Sequence, residues 1–311
     1  GMKAGGRDYF YNEKKSDRPG DERNLLLNDR QVKFEKYLTD AFSEKAVEFI
    51  NESSQPFMMY LAYNAVHTPM QATDEDMAKF EGHPRQKLAA MTYALDRGVG
   101  TVIRGLKDSG KFDNTLIFFL SDNGGATTNQ SSNYPLKGFK GNKFEGGHRV
   151  PYFVVWKNGI PAGKPYDGLV SSLDIFATAI DAASISKTRN RLDGVSLLPY
   201  LKGKKGEPHK VLYWRKMDTR AIRSGDYKLI ITHGVDSVLY NIRRDPEEMN
   251  NLINKEPDLY RKLAKKLAKW EKNECIEPSW LEEGWRKITN RYHQQLMHNE
   301  IKTAQDLYKK K

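Results

Sequence analysis

Leu116-Ile-Phe-Phe-Leu120 is an unbroken run of large apolar side chains, and it passes straight into Ser121-Asp122-Asn123-Gly124-Gly125. A strand that is apolar on both faces needs cover on both, which suits a sheet lying between helices. The flanking sequence supplies those helices. From Asp40 to Asn51, Phe42, Ala46, Phe49 and Ile50 recur at helical spacing, with Thr39 as the expected N-cap. Pro56 stops that pattern, and Phe57–Tyr63 is an apolar run of strand length. Leu88, Met91, Leu95, Val99, Val102 and Leu106 fall on one face of a long helix, with Gly110 as its C′ stop. Val150–Trp156 reads as a further buried strand and Ser171–Ala183 as a helix. Residues 1–30 are polar and read as a loop. This order of elements predicts an α/β sandwich around a mainly parallel sheet.

Beyond about residue 205 the pattern changes. Val211–Arg215, Thr219–Arg223, Tyr227–Thr232 and Ser237–Ile242 are short strand-type runs. Ser224-Gly225-Asp226 and His233-Gly234 supply turns between them. They predict a four-stranded antiparallel meander. Pro257 then opens a lysine-rich helix ending near Asn273, and a last helix is expected from Pro278 to about Asn299. The Gly/Lys-rich stretch Lys202–Gly206 marks the expected boundary, with residues 1–205 forming the α/β domain and 206–311 a small α+β subdomain.

Hydrophobic residues make up 38% of the 311, enough for a packed core, and no apolar run approaches the ~20 residues of a membrane span. A single cysteine, Cys275, excludes an internal disulfide framework and a multi-cysteine zinc site. The net charge of +11 favours anionic partners. Nucleic acid is disfavoured, because no finger, RRM-like or helix-turn-helix signature accompanies the charge. Much of the lysine sits on the amphipathic segment Arg261–Lys272, which reads as a solvated helix face.

Three groups of residues can carry chemistry. Asp122 and Asn123 stand at a strand's carboxyl end, where ligands gather in open α/β sheets. As two hard oxygen donors they suit Ca²⁺ or Mg²⁺, although Asp-Asn-Gly-Gly is also ordinary turn chemistry. Lys137-Gly-Phe-Lys140-Gly141 offers lysines on a glycine-rich loop, either as point charges for an oxyanion or as solvated side chains. It lacks the Gly-Lys-Ser/Thr ending of a phosphate-cradling loop. His67, past the end of the Phe57–Tyr63 run, can donate to an anion or protonate a leaving group, or serve as a hydrogen-bonded structural residue. All three lie just past apolar runs and can share one rim.

The ordered motifs resemble the sulfatases of the alkaline-phosphatase superfamily. Tyr63-Asn-Ala-Val-His-Thr-Pro69 is similar to their Asn-Ala-Pro-His-x-Pro region, and Ser121-Asp-Asn-Gly-Gly125 to their metal-binding strand end. Pro135-Leu-Lys-Gly-Phe-Lys-Gly141 with Phe144-Glu-Gly-Gly147 and Arg149-Val-Pro151 is similar to their lysine loop. Leu192-Asp-Gly194, Gly225-Asp-Tyr-Lys228 and Asp245-Pro246 continue in the same order. The resemblance implies that Asp122 and Asn123 are two ligands of one divalent cation, Ca²⁺ or alternatively Mg²⁺. It implies that Lys140 bridges the sulfate and the leaving oxygen and that His67 assists departure. A sulfated saccharide or an aryl sulfate ester is the implied substrate. Bacterial members of this type are exported to the periplasm, and animal ones go to lysosomes.

The resemblance also implies an Asp-Asp pair, a Cys/Ser-x-Pro-Ser-Arg motif that yields formylglycine, and a Gly-Lys-Trp-His segment. None of these occurs here: Cys275 is followed by Ile276 and Glu277. The chain is therefore expected to be a C-terminal portion without its nucleophile, with an incomplete metal shell, no turnover of its own and an uncovered apolar surface prone to self-association. Two other readings stand beside it. One is a non-catalytic remnant that binds anionic glycans. The other is a metal-dependent phosphatase or phosphodiesterase of the same superfamily, against which Asn123 argues, because those members commonly place Asp-His there to build a two-metal site.

Overall fold

The computed structural model describes residues 8–10, 25–28, 30–32, 34–185, 191–275 and 283–309. The chain divides into two compact units, Gly1–Thr115 with Thr128–Gln130, and Leu116–Thr127 with Ser131–Lys311.

In the first unit, β1 (Leu25–Leu27) pairs antiparallel with β2 (Arg30–Val32), in the register Leu25↔Val32. The segment 25–27, expected as loop, is thus a strand. The buried Leu25 packs with Tyr9, Tyr37, Leu38, Met91 and Ala94, and that burial favours an ordered pair over a solvated loop. Helix α1 (Leu38–Glu52) starts ahead of Thr39, so Thr39 is not its cap. Thr39 is buried in the first turn, and its carbonyl accepts from Ser43 Oγ at 2.8 Å. After α2 (Asp74–Ala78), α3 (Gln86–Asp108) forms as its apolar stripe predicts and stops at Ser109 and Gly110, the latter at φ +70°. Arg97 of α3 joins all three helices, with Nη2 2.9 Å from Asp40 Oδ2 and Nη1 2.5 Å from Asp76 Oδ1.

Phe57–Tyr63 is not a strand. Its residues alternate between more exposed and less exposed positions as a strand's would, but no ladder forms along it among the described residues. The apolar run is intrinsically extended, whereas a strand exists only with a hydrogen-bonded neighbour.

The second unit begins with β3 (Ile117–Leu120). A short turn of helix, α4 (Glu145–His148), precedes β4 (Tyr152–Val155), which pairs with β3 antiparallel in the register Leu120↔Tyr152. Every strand pair among the described residues is antiparallel, so these residues do not build the expected mainly parallel sheet. Two short helices follow, α5 (Asp174–Ala182) and α6 (Leu198–Leu201).

The meander forms as expected, in the order β5 (Val211–Lys216), β6 (Thr219–Ser224), β7 (Tyr227–Thr232), β8 (Asp236–Asn241). Then come α7 (Pro257–Glu274), α8 (Glu283–Met297) and α9 (Asp306–Lys309); the expected start of the last helix, 278–282, lies outside the described residues. Alternation along the strands gives the sheet two apolar faces. Ile222, Leu229 and Leu239 pack on Leu263 and Leu267 of α7. Ala221, Ile230, Val238 and Tyr240 pack on Phe139, Phe144 and, from α8, Leu296 and Met297. The sheet therefore forms part of the floor under the glycine-rich loop that holds Lys137 and Lys140.

Candidate active site

The end of β3 is fastened to that loop by main-chain bonds. Gly124 N donates to Gly147 O at 3.0 Å, and Lys140 N donates to Gly125 O at 3.0 Å. Gly125 N also donates to Asn133 Oδ1 at 2.7 Å, and Asn133 Nδ2 donates to Gly138 O at 3.0 Å. Gly124 admits no side chain, because a Cβ there would stand 1.8 Å from Gly146 O. Asp122, Asn123 and Lys140 thus belong to one unit, on segments joined by main-chain bonds. Asp122 is exposed and Asn123 half-buried, and Ser121 Oγ donates to Asn123 O at 2.8 Å.

The two lysines of the loop part company. Lys137 is fully buried; its Nζ donates to Glu248 O and Asn299 Oδ1 and lies 5.0 Å from the Phe144 ring centroid. Burial pushes it down to about 8. It fastens the loop from beneath. Lys140 is exposed, and no carboxylate among the described residues pairs with it. Of the two, Lys140 is the cation free to meet an anion.

Below the loop lies a charge cluster that the sequence indicated only in part. Lys228 Nζ, fully buried, is 2.8 Å from Glu145 Oε1 and 2.9 Å from Glu248 Oε1. Glu145 N donates to Glu248 Oε2 at 2.6 Å. One ammonium cannot neutralise two buried carboxylates equally. Despite its burial, Glu145 is held well below the usual carboxylate range by Lys228, whereas burial raises Glu248 to about 7. His148 packs at a tilt against Trp214, with ring centroids 4.5 Å apart, and burial and then Lys228 push it down to about 4, so it is neutral near pH 7. These groups hold the Glu145–His148 turn, and with it the strand end, in place. Glu248 gave no signal in the sequence. Lys228 gave one, a charge inside Tyr227-Lys-Leu-Ile-Ile231.

His67 belongs to the first unit. It is exposed, and its Nδ1 is 2.7 Å from Thr68 O. A carbonyl only accepts, so Nδ1 carries a proton and Nε2 is the outward nitrogen. Its backbone is tied by Tyr9, whose hydroxyl donates to His67 O at 2.9 Å, and Asn129 Nδ2 donates to the preceding carbonyl, Val66 O, at 3.1 Å.

No group of three or more His, Cys, Asp or Glu side chains among the described residues is placed to hold a metal. Asp122 and Asn123 give two hard oxygens, against the roughly 6–8 that Ca²⁺ takes. They fit a cation site as part of a ligand set and do not make one alone.

The sulfatase family model matches residues 1–185, more than half of the chain. The chain belongs to the sulfatase family. A second family model, described as N-sulphoglucosamine sulphohydrolase, C-terminal, matches residues 140–273. Among curated relatives, the chain is 39% identical over 201 residues to the uncharacterized sulfatase YdeN of Escherichia coli, covering 61% of this chain and 36% of that protein. It is 32% identical over 202 residues to the N-acetylgalactosamine-6-sulfatase of Canis lupus familiaris, covering 62% and 38%. The crystal structure of Ps i-CgsB superposes with a TM-score of 0.78 at 36% identity, over 86% of this chain and 62% of that one. Ps i-CgsB has also been solved in complex with k-i-k-neocarrahexaose. The fold is thus that of the alkaline-phosphatase-like sulfatases: mixed α/β, with a small antiparallel sheet and helices. This sulfatase chain spans between about a third and a half of the length of the curated relatives it matches.

Proposed function

We propose that this chain is part of a sulfuric ester hydrolase acting on sulfated saccharides. Lys140 meets the sulfate and the leaving oxygen, His67 assists departure, and Asp122 and Asn123 are two ligands of a divalent cation, Ca²⁺ or Mg²⁺. The observation that carries this reading is the unpaired, exposed Lys140 on a loop bonded through its own amide to the Asp122–Asn123 strand end. A cation fixed beside a hard-ligand pair suits the negative charge that builds on sulfate oxygens and the leaving oxygen during transfer. His67, with Nδ1 fixed on Thr68 O, has Nε2 to carry a proton to that oxygen. A bound divalent cation would add Lewis-acid neutralisation of the sulfate. The names of the relatives support a sugar-sulfate substrate, since one is an N-acetylgalactosamine-6-sulfatase.

The proposal includes two finer points. Residues 1–205 form part of the catalytic domain and 206–311 a small α+β subdomain. The 311-residue chain by itself does not turn over, because no Cys/Ser-x-Pro-Ser-Arg motif occurs in it. That same absence favours a second reading, anionic-glycan binding without turnover.

The test is to sequence the coding DNA upstream of the Met2 codon and to assay sulfate release by the protein so extended. An in-frame Asp-Asp pair and Cys/Ser-x-Pro-Ser-Arg, with sulfate release abolished by Lys140→Ala, is the expected result. A stop codon or unrelated sequence there, with no sulfate release, overturns the catalytic reading and leaves the binding one. Sulfate release by the 311-residue chain alone overturns the claim that it does not turn over.

A further inference from the structure

Two further lysines, one on the same loop as Lys140 and one reaching over it, have no place in the reading above. Lys143, three residues on, is half-buried, and its main-chain N donates to His293 Nε2 at 3.3 Å. Lys216, at the end of β5, holds its Nζ over Gly141, 3.1 Å from where a Cβ would stand. Gly141 itself sits at φ +95°, in the left-handed region that favours glycine. Lys143 is pushed down to about 8 by burial, then by Lys216 and Lys228, and Lys216 is lowered by burial and then by Lys140.

Among the described residues, no carboxylate pairs with Lys140, Lys143 or Lys216. Asp218, in the turn after Lys216, is taken by Arg286 and Asn290, each 2.7 Å from its Oδ2. His293 adds no negative charge: its Nδ1 donates to Thr289 O at 2.8 Å, and burial keeps it neutral, pushed down to about 4. Lys228 of the same unit, by contrast, is matched by Glu145 and Glu248. Lysines gathered on one loop and on the strand end over it, without a counter-charge among the described residues, cost stability, and they create a positive potential that an anion relieves. Sites that bind are where such a cost is retained.

We propose that Lys143 and Lys216 form a subsite for a second anionic group, a sulfate or carboxylate, on the saccharide whose ester sulfate Lys140 meets. The substrate class is therefore a polyanionic saccharide rather than a monosulfated one. This inference rests on the reading of Lys140 given above.

The test measures binding of a monosulfated and a disulfated form of one saccharide to the 311-residue chain by calorimetry at fixed ionic strength, with sodium sulfate as the free-anion control. The disulfated form is expected to bind at least about tenfold more tightly, as charge-assisted contacts would give. Lys143→Met and Lys216→Met should each abolish that preference and leave the monosulfated form within about twofold. Lys216 is exposed, so its variant folds even if the Lys143 one does not. Lys140→Met should weaken both ligands. Equal affinity for the two forms overturns the inference, and so does an equal loss of both in the Lys216 variant. Sulfate alone binding as tightly as the disulfated saccharide also overturns it, since the site then takes a free ion. If Lys140→Met affects neither ligand while the Lys216 preference survives, the subsite stands and the role given to Lys140 falls.

Discussion

Lys228 reaches two carboxylates from the middle of an apolar strand, and the three groups should respond differently to substitution. Lys228→Met leaves Glu145 and Glu248 as buried charges without their ammonium, and urea unfolding should show a loss of about 3–5 kcal/mol. Glu248→Gln keeps an acceptor for Glu145 N and leaves one carboxylate to one ammonium, so its cost should be about 1 kcal/mol. The two variants also separate by pH. Burial raises the folded Glu248 carboxyl to about 7, against 4.5 for an unperturbed glutamate. Between those values the native state holds a proton that the unfolded chain has lost, so this group's stabilising contribution falls as pH rises through about 7. Unfolding measured from pH 4.5 to 7.5 should show that decline in the parent and lack it in Glu248→Gln. A lysine within Tyr-Lys-Leu-Ile-Ile is legible in the sequence as a charge where apolar residues belong. Its partners are not, since one of them lies 83 residues upstream. Lys137 and Lys140 make the same point: they share one glycine-rich loop, one buried and one exposed, and no local pattern tells them apart.

Between elements, the packing of α1 on α3 depends on missing side chains. A Cβ at Gly98 would stand 2.6 Å from Ser43 Oγ, and one at Gly105 would stand 2.9 Å from Val47 Cγ2. Ser43 Oγ has little room to yield, because it donates to Thr39 O and lies 2.7 Å from Tyr63 OH. In an exposed helix, Gly→Ala gains about 1 kcal/mol. At Gly98 the crowding should outweigh that gain, giving a net loss of about 1–2 kcal/mol in urea unfolding; a more stable Gly98→Ala variant would show that α1 moves away freely. The long helix and the meander were legible because their signals are local: a 3.6-residue stripe for α3, and strands joined by tight turns for β5–β8. The run at 57–63 was misread for the converse reason, since its own residues carry the extended tendency and its pairing depends on a neighbour they do not specify. The place of Asp122 and Asn123 after a strand is legible because the end of an apolar strand is visible in one dimension. The Lys143–Lys216 pair was not, because it joins a loop to a hairpin more than seventy residues away.

For the whole molecule, the question is what its surface will do in water. Phe119 and Phe153 face each other across the β3–β4 ribbon at 6.2 Å and are 37% and 58% exposed, with Val155 and Phe176 also exposed in the same unit. That ribbon has only two strands, so each has an edge without a ladder partner among the described residues. Apolar side chains beside open edges promote association. Light scattering on the purified chain should show a mass that grows with concentration, and Phe153→Lys should suppress that growth; a concentration-independent monomer would refute the expectation. The β5–β8 sheet behaves in the opposite way, and its topology bears on the order of folding. Each strand pairs only with its neighbour in the chain, so the loops to be closed are short and their entropy is recovered early. Lys228 can remain hydrated while the sheet forms, until Glu145 arrives from far upstream. In pulse-labelled hydrogen exchange the amides of β6 and β7 should become protected before those of Glu145 and Gly146. The late event in this part of the chain is then the dehydration of a charge, with the strand pairing already done.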